Sequence, residues 1–222
     1  MARRDEVCAC LEATKAVAIV RDMPPTTCVK LAGAYQEGGI RLVEVTFDPV
    51  GDFEPTMTAI RAIKAAHPGM HVGAGTVVSE EQLDLAIGVG AEFVVMPNCN
   101  PAIIRRARAA GLVTMPGAFT PTEMVSAHAA GADYVKVFPV RALGPDYVRD
   151  VLAPLRNLKL IAVGGVSSEN AADYIRAGCV GVAAGGSLVN REWIADGDYG
   201  KIADVARRLV ANCTFKSKGG QT

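Results

Sequence analysis

Eight short apolar runs recur along this chain, and their spacing limits the possible folds more than any other feature. They occupy residues 17–21 (VAIVR), 40–47 (IRLVEVTF), 70–76 (MHVGAGT), 92–97 (EFVVMP), 112–117 (LVTMPG), 133–139 (DYVKVFP), 158–165 (LKLIAVGG) and 179–186 (CVGVAAGG). Their starts lie about 20–30 residues apart, the length of a strand, a loop, a helix of three turns and a second loop. Val, Ile and Phe fall on both alternating positions of the runs, as in strands covered on both faces.

Helix punctuation fills the gaps. Pro24-Pro25 opens a segment with Cys28, Leu31, Ala32 and Tyr35 at helical spacing, which stops at Gly38-Gly39. Ser79-Glu80-Glu81-Gln82 sets a serine cap before an acidic first turn, and Pro121-Thr122-Glu123 and Ser167-Ser168-Glu169-Asn170 repeat the device. Gly131 and Gly178 stand where residues past a helix C-cap stand. Eight strands alternating with eight helices predict an α/β fold: a closed (β/α)8 TIM barrel of minimal size with an extra N-terminal helix and a last helix over about 198–212. An open doubly wound sheet would carry a Gly-rich turn after its first strand, and VAIVRDMPP has none. A single domain is expected over 1–214, with 215–222 a disordered polar tail.

Charge narrows the partners. Lys plus Arg and Asp plus Glu each number 23, a formal net charge of zero, so neither nucleic acid nor an anionic membrane is an expected partner. The cluster Arg105, Arg106, Arg108 reads as a solvated helix face. No uncharged apolar run reaches the 18 residues that would suggest a membrane span. Arg3-Arg4 is a twin arginine, but Asp5, Glu6 and Glu12 interrupt the apolar stretch a signal would need, so a cytoplasmic protein is expected. Of six cysteines only Cys8 and Cys10 are close, and His67, His71 and His128 form neither HxH nor HExxH. Neither a disulfide scaffold nor a metal is expected.

Reactive groups in such barrels project from the C-terminal ends of strands. Lys136 lies between Tyr134-Val135 and Val137-Phe138, inside a run expected to be buried. Loss of hydration lowers a lysine pKa and frees an amine that condenses with a carbonyl to a Schiff base. Glu44 sits likewise within LVEVTF, where burial raises its pKa towards the range of a general acid–base. A structural Glu44–Lys136 ion pair is the plain alternative, although buried pairs bring little stability. Gly164-Gly165 ends the seventh run and Gly185-Gly186-Ser187 the eighth, the positions at which barrels commonly hold phosphate on backbone N–H groups. Ordinary turn chemistry would use the same glycines. Arg21 ends the first run as a cation at the mouth, suited to a carboxylate or phosphate oxygen, and Thr76 offers a hydroxyl after the third. Pro97-Asn98 and Pro116-Gly117 read as rim scaffolding at the ends of the fourth and fifth strands.

The order Glu44-Val45-Thr46, Gly73-Ala74-Gly75-Thr76, Pro116-Gly117, Lys136-Val137-Phe138-Pro139, Gly164-Gly165-Val166 and Gly185-Gly186-Ser187 resembles the class I 2-keto-3-deoxy-6-phosphogluconate (KDPG) aldolase family. The resemblance extends over roughly Ala16 to Arg208. It implies a metal-independent and cofactor-free lyase, a homotrimer, whose small-molecule substrate is a phosphorylated 2-keto acid cleaved to pyruvate and glyceraldehyde 3-phosphate. It extends to 4-hydroxy-2-oxoglutarate, cleaved to pyruvate and glyoxylate. Lys136 matches the Schiff-base lysine, Glu44 the acid–base glutamate, the two glycine turns with Ser187 the phosphate site, and Arg21 and Thr76 positions near the substrate carboxylate or chain.

Two departures bear on substrate choice. Many phosphogluconate members follow Glu-Val-Thr with Leu-Arg-Thr, whereas this chain reads Phe47-Asp48-Pro49, which leaves Arg21 as the candidate carboxylate partner. Val163 replaces a frequent threonine, and with Pro97-Asn98 it looks more like the 6-phosphogalactonate branch; the expected substrate is the phosphogluconate compound, with the phosphogalactonate epimer as the alternative. A phosphosugar epimerase or a thiamine-phosphate-synthase-like barrel would share the glycine turns, but neither has a use for a lysine at 136. A catalytically silent binding barrel would have no reason to bear the burial cost of Lys136 and Glu44.

Overall fold

The computed structural model describes residues 3–48 and 50–214; the expected tail at 215–222 and Pro49 lie outside the described residues. In chain order the elements are helix α1 (Arg3–Thr14), strand β1 (Ala16–Val20), α2 (Pro25–Glu37), β2 (Leu42–Thr46), α3 (Glu54–Ala66), β3 (His71–Gly75), α4 (Glu80–Gly88) and β4 (Phe93–Val95). There follow α5 (Pro101–Ala109), β5 (Val113–Met115), β6 (Gly117–Ala118), α6 (Pro121–Ala129), β7 (Val135–Val137), α7 (Gly144–Leu152), β8 (Leu160–Val163), α8 (Ala171–Arg176) and β9 (Gly181–Ala184). Short α9 (Arg191–Ala195) and α10 (Tyr199–Cys213) complete the described chain.

All strand pairings are parallel, in the order β5-β4-β3-β2-β1-β9-β8-β7-β6. The two ends of that order are halves of one barrel strand, divided at Pro116, which has no N–H to donate to a ladder. The seam is nevertheless closed. Tyr134 N–H donates to Thr114 O at 3.2 Å, Lys136 N–H to Pro116 O at 2.8 Å and Phe138 N–H to Ala118 O at 3.1 Å. The result is the expected eight-stranded barrel, with one correction: Pro116-Gly117 lies inside the fifth strand rather than at its end. Its nitrogen has no proton to donate, while its carbonyl still accepts from Lys136 N–H.

Two apolar shells hold the barrel. One lies between strands and helices and includes Ala18, Val43, Val72, Val94, Val135, Leu160 and Val182. The other fills the interior and includes Val17, Leu42, Phe93, Val113, Tyr134 and Ile161, with Val7 and Leu11 of α1 packed beneath. This two-sided burial is why the strands read as nearly continuous apolar runs.

Most helix punctuation does what its chemistry suggests. Ser79 and Gln82 form a reciprocal capping box at α4, and Thr120 and Glu123 do the same at α6. In the segment 167–170 the regular helix α8 starts only at Ala171, but cap-type bonds precede it: Ser167 Oγ accepts from Glu169 N–H at 3.3 Å and Asn170 Oδ1 from Ser167 N–H at 2.9 Å. Helix α9 was not expected; Asn190 caps it by accepting from the N–H groups of Glu192 and Trp193. Within the Arg105–Arg108 cluster, Arg106 pairs with Glu80 and Asp84 and Arg108 with Asp133. No helix among the described residues is long and apolar enough to cross a membrane.

The twin arginine has a structural use. Arg3 pairs with Glu92 at 3.4 Å and Arg4 with Asp133, fastening α1 across the N-terminal mouth of the barrel. Glu92 also meets Lys64 at 3.5 Å and His71 Nδ1 at 2.7 Å. Hydrogen bonding to Cys10 and to Glu92 raises the His71 imidazole from its ordinary 6.5 to about 9. A raised folded value means that His71 contributes its full stabilisation below about pH 6.5 and loses it as pH rises through about 9. The urea midpoint should therefore decline across that window, and His71→Gln should flatten the decline. An identical decline in the variant would assign it to another group.

Candidate active site

Lys136 on β7 and Glu44 on β2 both project into the barrel, and they are only 5% and 1% exposed. The Lys136 Nζ lies 4.7 Å from the centre of the Phe138 ring. Burial pushes the Lys136 ammonium below its ordinary pKa of 10.5; Glu44 opposes that shift and Arg21 adds to it. For Glu44, burial pushes the carboxyl above its ordinary value, against the pull of Lys136 and Arg21. The Oε2 atom of Glu44 is buried with no hydrogen-bond partner, and among the described residues no ion pair or hydrogen bond joins it to Lys136. The structural ion pair is therefore not formed: the two groups sense each other across a gap.

Small residues on β3 make that gap. A Cβ on Gly75 would overlap Glu44 Oε1, and a Cβ on Gly73 would overlap the Phe93 ring. Strand β3 thus leaves room in one layer for the carboxylate and, one layer deeper, for an aromatic floor.

Above Lys136 opens a cleft of about 310 Å³. Ile19, Phe138, Val163 and Ala183 form its apolar walls, and Arg21, Arg141 and the turns Gly164-Gly165 and Gly185-Gly186-Ser187 form its rim. Gly164 and Gly165 hold φ of +97° and +84°, a region costly for side-chain-bearing residues. Asn170 Nδ2 donates to Gly165 O at 3.0 Å, and Ser187 Oγ donates to Val166 O at 2.7 Å, so the two turns are tied together. The N–H groups of Gly164, Gly165, Gly186 and Ser187 donate to no acceptor among the described residues. Unsatisfied donors converging on one opening suit an anion. Because the Ser187 hydroxyl proton is committed to Val166, its main chain is the freer donor.

The sequence candidates divide accordingly. The cleft brings Arg21, Lys136, Gly164, Gly165, Gly185, Gly186 and Ser187 together, with Glu44 close enough to perturb Lys136. Thr76 does not line it. It stands half-buried past β3 with φ of +59°, an outlying conformation for a β-branched residue. Thr46 lines a separate recess of about 510 Å³ with Asp22, Asp48 and Asp52, whose carboxylates would repel an anion. Sequence reasoning missed Phe138, whose ring faces the amine, and Arg141. An arginine in a loop segment such as VRALGP carries no signal until the turn places it. Among the described residues, no group of three or more His, Cys, Asp or Glu side chains could hold a metal ion.

The family model for KDPG and KHG aldolases matches residues 7–205. A probable 2-dehydro-3-deoxy-6-phosphogalactonate aldolase of Rhizobium meliloti is 40% identical over 196 residues, which is 88% of each chain. A 2-dehydro-3-deoxy-phosphogluconate aldolase of Treponema pallidum is 32% identical over 201 residues, 90% of this chain and 94% of that one. A solved native KDPGal structure superposes with a TM-score of 0.79 at 34% identity, covering 89% of this chain and 93% of its own. A family match that takes in every strand of the barrel, with relatives similar along most of their length, makes this chain a member of the KDPG and KHG aldolase family and its activity that of an aldolase.

Proposed function

We propose that this aldolase cleaves a 2-keto-3-deoxy-6-phosphohexonate to pyruvate and glyceraldehyde 3-phosphate through a Schiff base on Lys136, with Glu44 as its acid–base. The observation that carries the reading is a desolvated lysine facing an unpaired buried carboxylate beneath free N–H groups. The Lys136 amine adds to the C2 ketone, forming a C–N bond. Glu44 relays protons as the carbinolamine loses water to an iminium. Glu44 then takes the C4 hydroxyl proton while the C3–C4 bond breaks and its electron pair flows into the iminium. The aldehyde departs, the enamine is protonated at C3, and hydrolysis returns pyruvate and free Lys136. One base can serve successive steps because burial holds its pKa above the ordinary carboxylate value.

Substrate binding follows the charge distribution. Arg21 takes the carboxylate, a part left open by Asp48, and the turns at Gly164-Gly165 and Gly185-Gly186-Ser187 take the phosphate. Thr76 is assigned a rim position near the substrate chain. For the C4 epimer, Val163 in the cleft wall and the 40% identity to the Rhizobium meliloti relative favour the galactonate over the gluconate compound. The reading extends to 4-hydroxy-2-oxoglutarate, cleaved to pyruvate and glyoxylate. A single aldolase domain over 1–214, assembly as a homotrimer and a cytoplasmic location complete the proposal, on the strength of the resemblance.

Borohydride trapping with pyruvate is the direct test. Intact mass and peptide mapping should find the reduced adduct on Lys136 and none in Lys136→Ala; a folded protein without an adduct would sink the Schiff-base reading. Because the lysine is depressed below 10.5, the trapping rate should climb with pH to a midpoint below that of a free lysine. Glu44→Gln should lower kcat for cleavage by about 10²–10⁴-fold, the range for a lost acid–base group; a loss under about threefold would remove Glu44 from the role. Comparing kcat/KM for the two phosphohexonate epimers tests the galactonate preference.

A further inference from the structure

The cleft holds a cation that the chemistry above does not use. Arg141 lies on the short 3₁₀ turn Val140–Ala142 that follows β7. Its N–H donates to Gly164 O at 3.0 Å, which ties the base of the side chain to the first glycine of the turn after β8. The side chain then crosses Gly165. A Cβ there would come within 2.9 Å of Arg141 Cβ and would overlap the guanidinium Nε. Gly165 therefore leaves room for this arginine as well as adopting a left-handed backbone.

Elsewhere on the molecule Arg61, Arg106, Arg108, Arg149 and Arg207 have carboxylate partners. Among the described residues Arg141 has none, and its guanidinium lines the cleft that contains Lys136. Barrel order sharpens the placement. The neighbours β7, β8, β9 and β1 bring Arg141, the two glycine turns and Arg21 to the rim in that sequence. Arg21 thus flanks the free N–H groups on one side and Arg141 flanks them on the other. Lys136 and Arg141 belong to one strand and the turn after it, the lysine deep and the arginine at the rim.

We propose that Arg141 is a specificity residue for the distal end of the substrate: its guanidinium clamps the phosphate over Gly164-Gly165 and selects phosphorylated over unphosphorylated aldehydes. The proposal rests on the Schiff-base reading, which places C2 at Lys136 and sends the rest of the chain towards the rim. Planar, two-pronged donation to phosphate oxygens suits arginine and adds charge that backbone N–H groups cannot supply.

The test is condensation of pyruvate with glyceraldehyde 3-phosphate or with glyceraldehyde, using Arg141→Met, Arg141→Gln and Arg141→Lys. In the Met and Gln variants the ratio of kcat/KM for the phosphorylated over the unphosphorylated aldehyde should fall by about 10–100-fold, mostly through KM, as for loss of a charge-assisted contact. Lysine should restore part of the ratio, and competitive inhibition by inorganic phosphate should weaken in step in the Met and Gln variants. Pyruvate trapping on Lys136, run in parallel, separates the two layers of argument. If trapping proceeds while the ratio and phosphate inhibition stay within about twofold of wild type, the Arg141 assignment is overturned and the aldolase mechanism stands. If wild type traps no pyruvate, both fall.

Discussion

Two ionisable side chains, held out of water without neutralising each other, set the terms for the rest of this molecule. Removing a carboxylate and an ammonium from solvent costs several kcal/mol each, and contact between them would recover part of that. Glu44 and Lys136 forgo the contact. The uncompensated cost is tolerated because a closed ring of strands, filled with aliphatic side chains and covered by helices, leaves neither group a route to solvent except through the cleft. The same desolvation holds the amine's pKa down and the carboxyl's up, so a destabilising feature of the fold is also the source of the reactivity proposed for the pair.

Around this pair the C-terminal face is polarised. On the β7-to-β1 side lie Arg141, four unsatisfied N–H groups and Arg21; over β1 and β2 stand Asp22, Asp48 and Asp52. A doubly anionic molecule is drawn to one side and repelled from the other, which orients it before any short-range contact forms. The opposite face of the barrel has a different occupation. Ion pairs from Arg3 to Glu92 and from Arg4 to Asp133 bind α1 across it, and Lys64 and His71 converge on the same Glu92.

Much of this was legible because the informative residues violate local expectation. A lysine between Val135 and Val137 and a glutamate between Val43 and Val45 stand out against an apolar strand, and burial makes each conspicuous for the reason that makes it reactive. Gly164-Gly165 after β8 is visible for a related reason, since its left-handed backbone has few alternatives, whereas Gly185 after β9 holds a negative φ and is conspicuous only as part of a pair. The residues that escaped notice break no such rule. Arg141 occurs in a connecting turn outside any strand, where an arginine is ordinary, and only three-dimensional placement beside Gly164 gives it meaning. Pro116 looks like a terminator because proline usually is one, yet Lys136 N–H still finds its carbonyl and carries the ladder past it. Ser167 keeps part of a cap's role, its hydroxyl accepting from Glu169 N–H, while Asn170 answers its N–H and reaches Gly165 O through the amide nitrogen.

The aromatic floor governs traffic. Phe93, with Val17, Leu42, Tyr134 and Ile161 around it, fills the barrel beneath Glu44 and Lys136, so among the described residues the chamber is closed from below. In the proposed Schiff-base mechanism, whatever is joined to Lys136 sits at the closed end, and whatever is released from its far side stands nearer the exit. Departure then has a compulsory sequence imposed by plumbing rather than by relative affinity: the fragment by the door leaves first, and the tethered fragment waits. In the reverse direction the same corridor admits the keto acid before the aldehyde, and an early aldehyde would block the way to the amine.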